Sequence, residues 1–260
     1  MKKLYPKITI ITPSLNQGKY IEETMLSVLS QGYPFLEYII ADGGSTDGTL
    51  AILEKYADKV RWFSKKDKGQ AEAINRGIEM ATGEIIAYLN SDDILFSNAL
   101  LKIANAFITH PDLKWVTGHC MIIDENSHET RRLITLYKKF LLSINSFHLL
   151  LVTDYISQPA TFWRRDLINE IGVFDEDLHY AMDYDYYLRI WQRHRPYIIR
   201  EYLAGFRIHQ NSKSTTFKNY EVYVREEKRI IKRYSKSRFW SLMHDAHRLL
   251  MTTIYSKINY

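Results

Sequence analysis

Short apolar runs alternate, along the first half of the chain, with segments whose apolar positions recur every three or four residues. Ile8 to Ile11 reads as a buried strand closed by Pro13 and a polar loop, and Ile21, Met25, Val28 and Leu29 follow at helical spacing, with Asn16 as a candidate cap. Leu36 to Ala41 predicts a second strand, stopped by "DGGSTDGT"; Leu50, Leu53 and Tyr56 then mark a short helix and Val60 to Phe63 a third strand. Ala71, Ile74 and Ile78 predict another helix before the strand Glu84 to Leu89. Leu100, Ile103, Ala104 and Phe107 give one more, and "KWVTGHCMII" a fifth strand.

Strands alternating with helices predict an α/β fold, a Rossmann-like and largely parallel sheet covered on both faces. Ligands of such sheets bind beyond the carboxyl ends of the strands. The polar clusters fall there: Thr12 to Gln17, Asp42 to Thr49, Lys65 to Gln70 and Asn90 to Asp93, so four loops converge on one crevice. Beyond about Asn126 the rhythm fades. "RRLITLYKKFLLSINSFHLLLV" reads as helical, the stretch from Asp166 to His194 carries two helical patterns, and the tail from Phe217 to Tyr260 reads as a helical extension to a domain of residues 1–216.

Composition narrows the setting. The lone Cys120 excludes a disulfide framework or a cysteine-based metal cluster. Lys2 and Lys3 precede no signal-type apolar segment, and no stretch reaches the roughly 18 apolar residues of a spanning helix. The expectation is a cytoplasmic protein, soluble or held peripherally at the inner face of a membrane. The net charge of +5 fits a solvated basic surface, but the excess is concentrated in "REEKRIIKRYSKSR", Arg225 to Arg238. That tail carries no aromatic-rich recognition motif, so nucleic acid is not an expected partner.

The loops carry the chemistry. In "DGGSTDGT" Gly43 and Gly48 have phosphate-loop spacing, yet Thr49 stands where a lysine is needed and Asp47 puts negative charge in the cradle. A tight turn with Asp47 capping the next helix accounts for it equally well. "NSDD" places Asp92 and Asp93 side by side at the end of a buried strand, where two carboxylates repel each other and resist desolvation. A hard divalent cation, taking one or two carboxylates and the oxygens of a diphosphate, would offset that repulsion; a solvated helix cap is the alternative. In "HYAMDYDYYLRI" Asp183 and Asp185 point in different directions on a helix. One can serve as a general base among aromatic neighbours, while Asp185 has Arg189 four residues on. His209 precedes a polar loop, and alone it fits a structural role as readily as a ligand.

"ITIITPSLNQ", "IIADGGSTDGT", "KKDKGQAEAINRGIEMATGEIIAYLNSDD", "QPATFWRRDL", "GVFDEDLHYAMDYDYYLRI" and "FRIHQNSKS", in that order over roughly Lys7 to Ser214, resemble family 2 glycosyltransferases. The resemblance implies a GT-A fold and an inverting enzyme that uses Mn2+ or Mg2+. By it, Thr12, Pro13 and Asp42 line the pocket for the donor's base, Asp67 closes that pocket, and Asp92 contacts the ribose. Asp93 is the metal ligand at the end of the DxD position, Asp183 the catalytic base, and His209 a further metal or diphosphate contact. The implied partners are a UDP- or dTDP-sugar donor and a saccharide or lipid-linked glycan acceptor.

Two departures stand out. Gly43 replaces a carboxylate where the family often reads "DDGS", and Met182 replaces a glutamate before the base. A nucleotidyltransferase would carry a Gly-rich loop with Arg and Lys after the first strand, which "TPSLNQGKY" does not provide. Asp92, Asp93 and Asp183 together argue against a binding protein that has lost catalysis. Cations from Lys228 to Arg238, followed by Phe239, Trp240 and Leu242, suggest that the tail lies on a membrane, on its own domain or on the second subunit of a homodimer.

Overall fold

The computed structural model describes residues 5–210, 212 and 220–258. Among them one sheet is formed by β1 (Ile8–Ser14), β2 (Leu36–Asp42), β3 (Arg61–Ser64), β4 (Ile85–Tyr88), β5 (Ile94–Leu95), β6 (Trp115–Ile123), β7 (Thr161–Arg164) and β8 (Tyr197–Arg207). Its order is β3-β2-β1-β4-β7-β6-β8-β5. β3, β2, β1 and β4 are parallel; β7 runs antiparallel to both β4 and β6, and β5 antiparallel to β8. The helices are α1 (Ile21–Leu29), α2 (Thr49–Lys55), α3 (Gln70–Met80), α4 (Ala99–Thr109), α5 (Arg132–Ile144), α6 (Phe147–Val152), α7 (Leu167–Ile171), α8 (Met182–Trp191), α9 (Tyr220–Tyr234) and α10 (Arg238–Ile258).

The period of two along the inner strands builds two cores, one on each face of the sheet. Ile8 and Ile10 of β1, Ile40 of β2 and Ile85 and Ala87 of β4 face one way, under α1 and α4. Ile11, Ile39, Ile86 and Tyr88 face the other, under α3, α6 and α8. α3 sits so close to β1 that a Cβ on Gly77 would lie 2.5 Å from a methyl of Ile11.

The five expected strands, which are β1 to β4 and β6, and the helices between them stand where the apolar pattern puts them. β5, β7 and β8 are additional. β7 is four residues long, and Arg200 and Glu201 interrupt the apolar positions of β8, whose register against β6 shifts around His119. The helical stretch after Arg131 is two helices, because Asn145 turns left-handed (φ 49°) and Ser146 caps the start of α6. Asn16 does not cap α1; it too is left-handed (φ 53°), and its side-chain oxygen accepts from Thr46 N at 2.8 Å.

The tail is not peripheral. Ile230 and Ile231 of α9 are buried in the same core as α3 and α8. Arg233, expected among the free cations of the tail, donates to Asp185 Oδ1 at 2.8 Å and pairs with Asp175 at 3.2 Å. The expected split at residue 216 therefore runs through residues outside the described set, and α9 beyond it shares the core of the rest.

A buried carboxylate near the amino ends of the strands ties three elements together. Glu37 of β2 accepts from Thr82 N at 2.7 Å, Thr9 Oγ1 at 2.6 Å, Thr82 Oγ1 at 2.8 Å and Lys7 Nζ at 3.1 Å. Burial alone would raise its pKa, but these donors outweigh it and hold the group down at about 2, against an ordinary 4.5. A carboxylate depressed in the folded state stabilises above its unfolded pKa and loses that contribution as pH falls through the folded one. Glu37→Gln is expected to cost about 2 kcal/mol at neutral pH and to flatten the loss of stability between about pH 4.5 and 2. Urea unfolding of both proteins across that range measures it.

Candidate active site

The loops after β1 and β2 are bonded to each other. Asn16 N donates to Ser45 Oγ at 2.7 Å, Gln17 N to Thr49 Oγ1 at 3.0 Å, and Gly18 N to Asp47 Oδ2 at 2.9 Å. Asp47 also accepts from Thr49 N at 2.9 Å at the start of α2, the capping turn that the spacing allowed. Asp42 is buried at the end of β2. Its oxygens accept from Gly44 N (3.0 Å), Ser45 N (2.9 Å), Ser45 Oγ (2.5 Å) and Ser64 Oγ (2.6 Å). Those bonds shape the loop and leave the Asp42 carboxylate little capacity for a ligand. Thr12 and Pro13 are buried as well, and Thr12 Oγ1 lies 3.0 Å from Tyr38 OH. Thr12, Pro13 and Asp42, expected to line a base pocket, are all buried at the ends of β1 and β2.

Asp67 reaches over the place that Gly43 leaves empty: a Cβ on Gly43 would stand 2.5 Å from Asp67 Oδ2. A side chain at position 43 would therefore displace the Asp67 carboxylate. Burial raises the Asp67 pKa, and the charges of Glu72 and Asp42 add to that, against the Gly69 N–H and Arg76.

The adjacent aspartates after β4 have opposite environments. Asp93 is fully buried. Its Oδ1 accepts from Arg207 N at 2.8 Å and its Oδ2 from Asn90 Nδ2 at 3.2 Å. Burial, with Asp92 beside it, pushes its pKa well up. Asp92 keeps 18% of its side chain exposed, and its Oδ2 lies 3.0 Å from His209 Nε2. The His209 ring packs against Tyr20 at 4.6 Å. Asp93, expected to hold the metal, is enclosed by protein donors, and Asp92, expected at the ribose, keeps part of its side chain exposed beside the buried His209.

Among the described residues no group of three or more His, Cys, Asp or Glu side chains is arranged to hold a metal ion. Two ligands suffice where a substrate diphosphate and water complete the shell of a hard cation. A carboxylate and an imidazole within 3.0 Å of each other fit that requirement.

Asp183 stands in the first turn of α8, at the positive end of its dipole, with Oδ1 accepting from Tyr184 N at 2.9 Å. It is partly exposed, whereas Asp185 is buried and bound by Arg189 (2.8 Å), Arg233 (2.8 Å) and Tyr234 OH (2.9 Å). The expected Asp185–Arg189 pair is present, with two partners from α9 that local spacing could not show. Met182, where a glutamate was expected, is buried in the core. The charges of Asp183 and Asp93 both act on the Tyr88 hydroxyl at the end of β4, after burial the causes of its raised pKa together with Tyr187 and Asp154. Asp154, not singled out from the sequence, is raised to about 7 by burial and further by Asp183.

Two residues essential to this arrangement left no sequence signal. Arg207 is buried and donates to Asp92 O (2.7 Å), Asp124 O (3.0 Å), Ser127 Oγ (3.0 Å) and Glu23 Oε2 (2.8 Å). Glu226 of α9, also buried, accepts from His179 N (2.8 Å), Tyr180 N (2.8 Å) and Ala181 N (3.0 Å), the three residues that lead into α8.

A mixed sheet with loops and the start of a helix gathered at the carboxyl end of its central strands is the architecture that the resemblance to GT-A enzymes implied. The chain belongs to glycosyl transferase family 2, whose family model matches residues 9–172. An uncharacterized glycosyltransferase of Rickettsia typhi is 30% identical over 250 residues, 94% of this chain and 78% of that one. The structure of S. aureus TarS 1-349 in complex with UDP-GlcNAc is 24% identical and covers 86% of this chain and 65% of its own, with a TM-score of 0.65. A mannosyltransferase from Pyrobaculum calidifontis in complex with GDP-Man and Mn2+ is 19% identical, covers 93% of this chain and 69% of its own, and has a TM-score of 0.69. At those identities the likeness to the two solved structures is one of fold.

Glu226 supplies the test of how the tail supports the site. Hydrogen bonds to a charged acceptor each contribute about 1.5–3 kcal/mol. Glu226→Ala is expected to destabilise the protein by about 3 kcal/mol and lower its melting temperature by roughly 6–12 °C, with Glu226→Gln in between. Calorimetry of the two variants measures both.

Proposed function

We propose that the protein is an inverting, metal-dependent glycosyltransferase. It moves a sugar from a UDP- or dTDP-sugar to a hydroxyl of a saccharide or lipid-linked glycan in the synthesis of cell-surface polysaccharide. The observation that carries this is the grouping of two unlike acidic centres around the end of β4: Asp92 with His209 on one side, and Asp183 at the start of α8 on the other. Family membership supports the transferase class, and the complexes of the two solved neighbours support a nucleotide-sugar donor and a divalent cation.

Asp183 accepts the proton of the acceptor hydroxyl as that oxygen bonds to the anomeric carbon. The bond from that carbon to the diphosphate oxygen breaks with the electron pair leaving on the nucleoside diphosphate. Attack opposite the leaving group inverts the anomeric centre. Asp92 and His209 would hold Mn2+ or Mg2+, which supplies positive charge to the departing diphosphate. Asp67, above Gly43, closes the nucleotide end of the crevice, and Asp42 keeps the loop beneath it in shape. On this assignment Asp93, held by Arg207 N and Asn90, supports the loop that carries Asp92.

Substitutions separate these roles. Asp92→Asn is expected to abolish Mn2+-dependent binding of UDP and donor hydrolysis. Asp183→Asn is expected to keep that binding and lose about 10²–10⁴-fold in turnover. Asp93→Asn is expected to retain metal-dependent UDP binding while unfolding at lower temperature. Calorimetric titration of UDP with and without Mn2+, beside donor hydrolysis, distinguishes the three. Retention of binding by Asp92→Asn with its loss in Asp93→Asn would return the metal to Asp93, and full activity in EDTA would remove the metal altogether.

A further inference from the structure

Two neighbouring helices turn apolar stripes outward. On α5, Leu133, Leu136, Phe140 and Ile144 are all exposed, Leu133 by 74%, and their spacing places them on one face. α10 does the same with Leu242, Leu249 and Leu250, Leu249 by 71%, while Trp240 stacks inward on His148 at 4.8 Å and His244 meets Glu227 at 3.3 Å. The helices are joined by Tyr137 OH, 2.8 Å from His247 Nε2, with the two rings stacked. Tyr137 lies one helical turn from Leu133 and Phe140, and His247 one turn from the exposed Met243 and Leu250, so these four side chains flank the bond.

Beside α5 runs a groove of about 710 Å³ lined by Leu136, Phe140 and Ile198 together with Lys139, Arg195 and Arg200. None of these three cations has a carboxylate partner among the described residues. Their field is felt locally: after burial, Lys139 and Arg200 are what lower the pKa of His119 in the same groove. α5 contains no acidic residue, and in α10 the single one, Asp245, is engaged by Arg248 at 2.9 Å.

We propose that the α5–α10 face docks flat on an anionic lipid bilayer, with lipid phosphates entering the Lys139–Arg195–Arg200 groove and the leucine and phenylalanine side chains passing below the headgroups. An apolar stripe rimmed by cations that no carboxylate neutralises is what an interfacial helix requires. A second copy of the chain fits less well. A twofold contact sets a patch against itself, and this patch offers no free carboxylate to meet its own cations. Among the described residues no helix is long and apolar enough to cross a membrane, so the contact is with one leaflet surface. The expected membrane contact through the tail is relocated: α9 is turned into the core, and α10 with α5, which the sequence did not single out, carries the outward face. The proposal is independent of the transferase assignment, and its test uses neither donor nor metal.

The test is co-sedimentation of the full chain with vesicles. Binding is expected to vesicles containing phosphatidylglycerol, to weaken with salt, and to be absent on phosphatidylcholine alone. Arg195→Glu with Arg200→Glu, and separately Phe140→Ser with Leu250→Ser, are each expected to reduce binding by at least about tenfold. Circular dichroism is expected to show both pairs folded, since all four side chains lie at the groove or surface; if one pair unfolds, the other decides. Absence of binding by the parent chain, equal binding to both kinds of vesicle, or undiminished binding by a folded variant pair overturns the proposal. So does a dimer in sedimentation velocity that the Phe140 and Leu250 substitutions disperse while the parent chain ignores vesicles, which would give this face to a second copy.

Discussion

The buried guanidinium of Arg207 and the buried carboxylate of Asp93 are what the crevice is built around. Arg207 gives its backbone N–H to Asp93 and its side chain to the carbonyl of Asp92, and it also holds the loop at Asp124 and Glu23 of α1. Truncating the Arg207 side chain would leave the Glu23 carboxylate and the carbonyls of Asp92 and Asp124 without their donor, while its backbone N–H stays on Asp93. The constraint also settles how two adjacent aspartates coexist at a strand end. One is turned into the protein and surrounded by donors, so the other is free to face outward beside His209.

The inner half of the fold was legible because it follows from local periodicity. β1, β2 and β4 are buried on both faces and read as apolar runs, and the helices between them bury Ile, Leu and Ala at turn spacing. The crevice followed from strand direction. Which of Asp92 and Asp93 faces it did not, because a loop has no period to assign sides; the answer lies in β8, more than a hundred residues away. β5, β7 and β8 escaped because the first two are very short and the third carries charged residues among its apolar ones. Arg207 and Glu226 escaped for a related reason: an Arg between two apolar residues, or a Glu on a charged helix, has the same local pattern whether buried or solvated. Gly43 could be noticed but not explained until Asp67 was seen to occupy its space.

The tail then divides into two parts with different duties. α9 buries two isoleucines, sets Glu226 under the three residues before α8, and sets Arg233 and Tyr234 on Asp185, two residues past Asp183. A family model ending at residue 172 stops before both α8 and the helix that fixes it. Position of the candidate base is therefore a property of the whole chain. α10 uses its inner side on α6 and on Glu227, and leaves its outer side apolar.

Charge explains why the two surfaces differ. The crevice gathers Asp67, Asp92, Asp93, Asp154 and Asp183, and burial has already pushed Asp67, Asp93 and Asp154 toward their neutral forms. A nucleoside diphosphate entering there brings further negative charge into a low-dielectric setting, where like charges repel far more than in water. The nearest buried cation, Arg207, is turned away and saturated by carbonyls and Glu23, so it cannot answer that charge. On the proposed assignment a divalent cation at Asp92 and His209 is what makes donor and crevice compatible, and it would arrive with the diphosphate rather than before it, since two protein ligands alone hold such an ion weakly. The Lys and Arg side chains that no carboxylate neutralises, by contrast, lie on the outer groove beside α5, well placed for a phosphate surface. On the two proposals together, the chain would meet phosphate through a borrowed cation within and through its own cations outside.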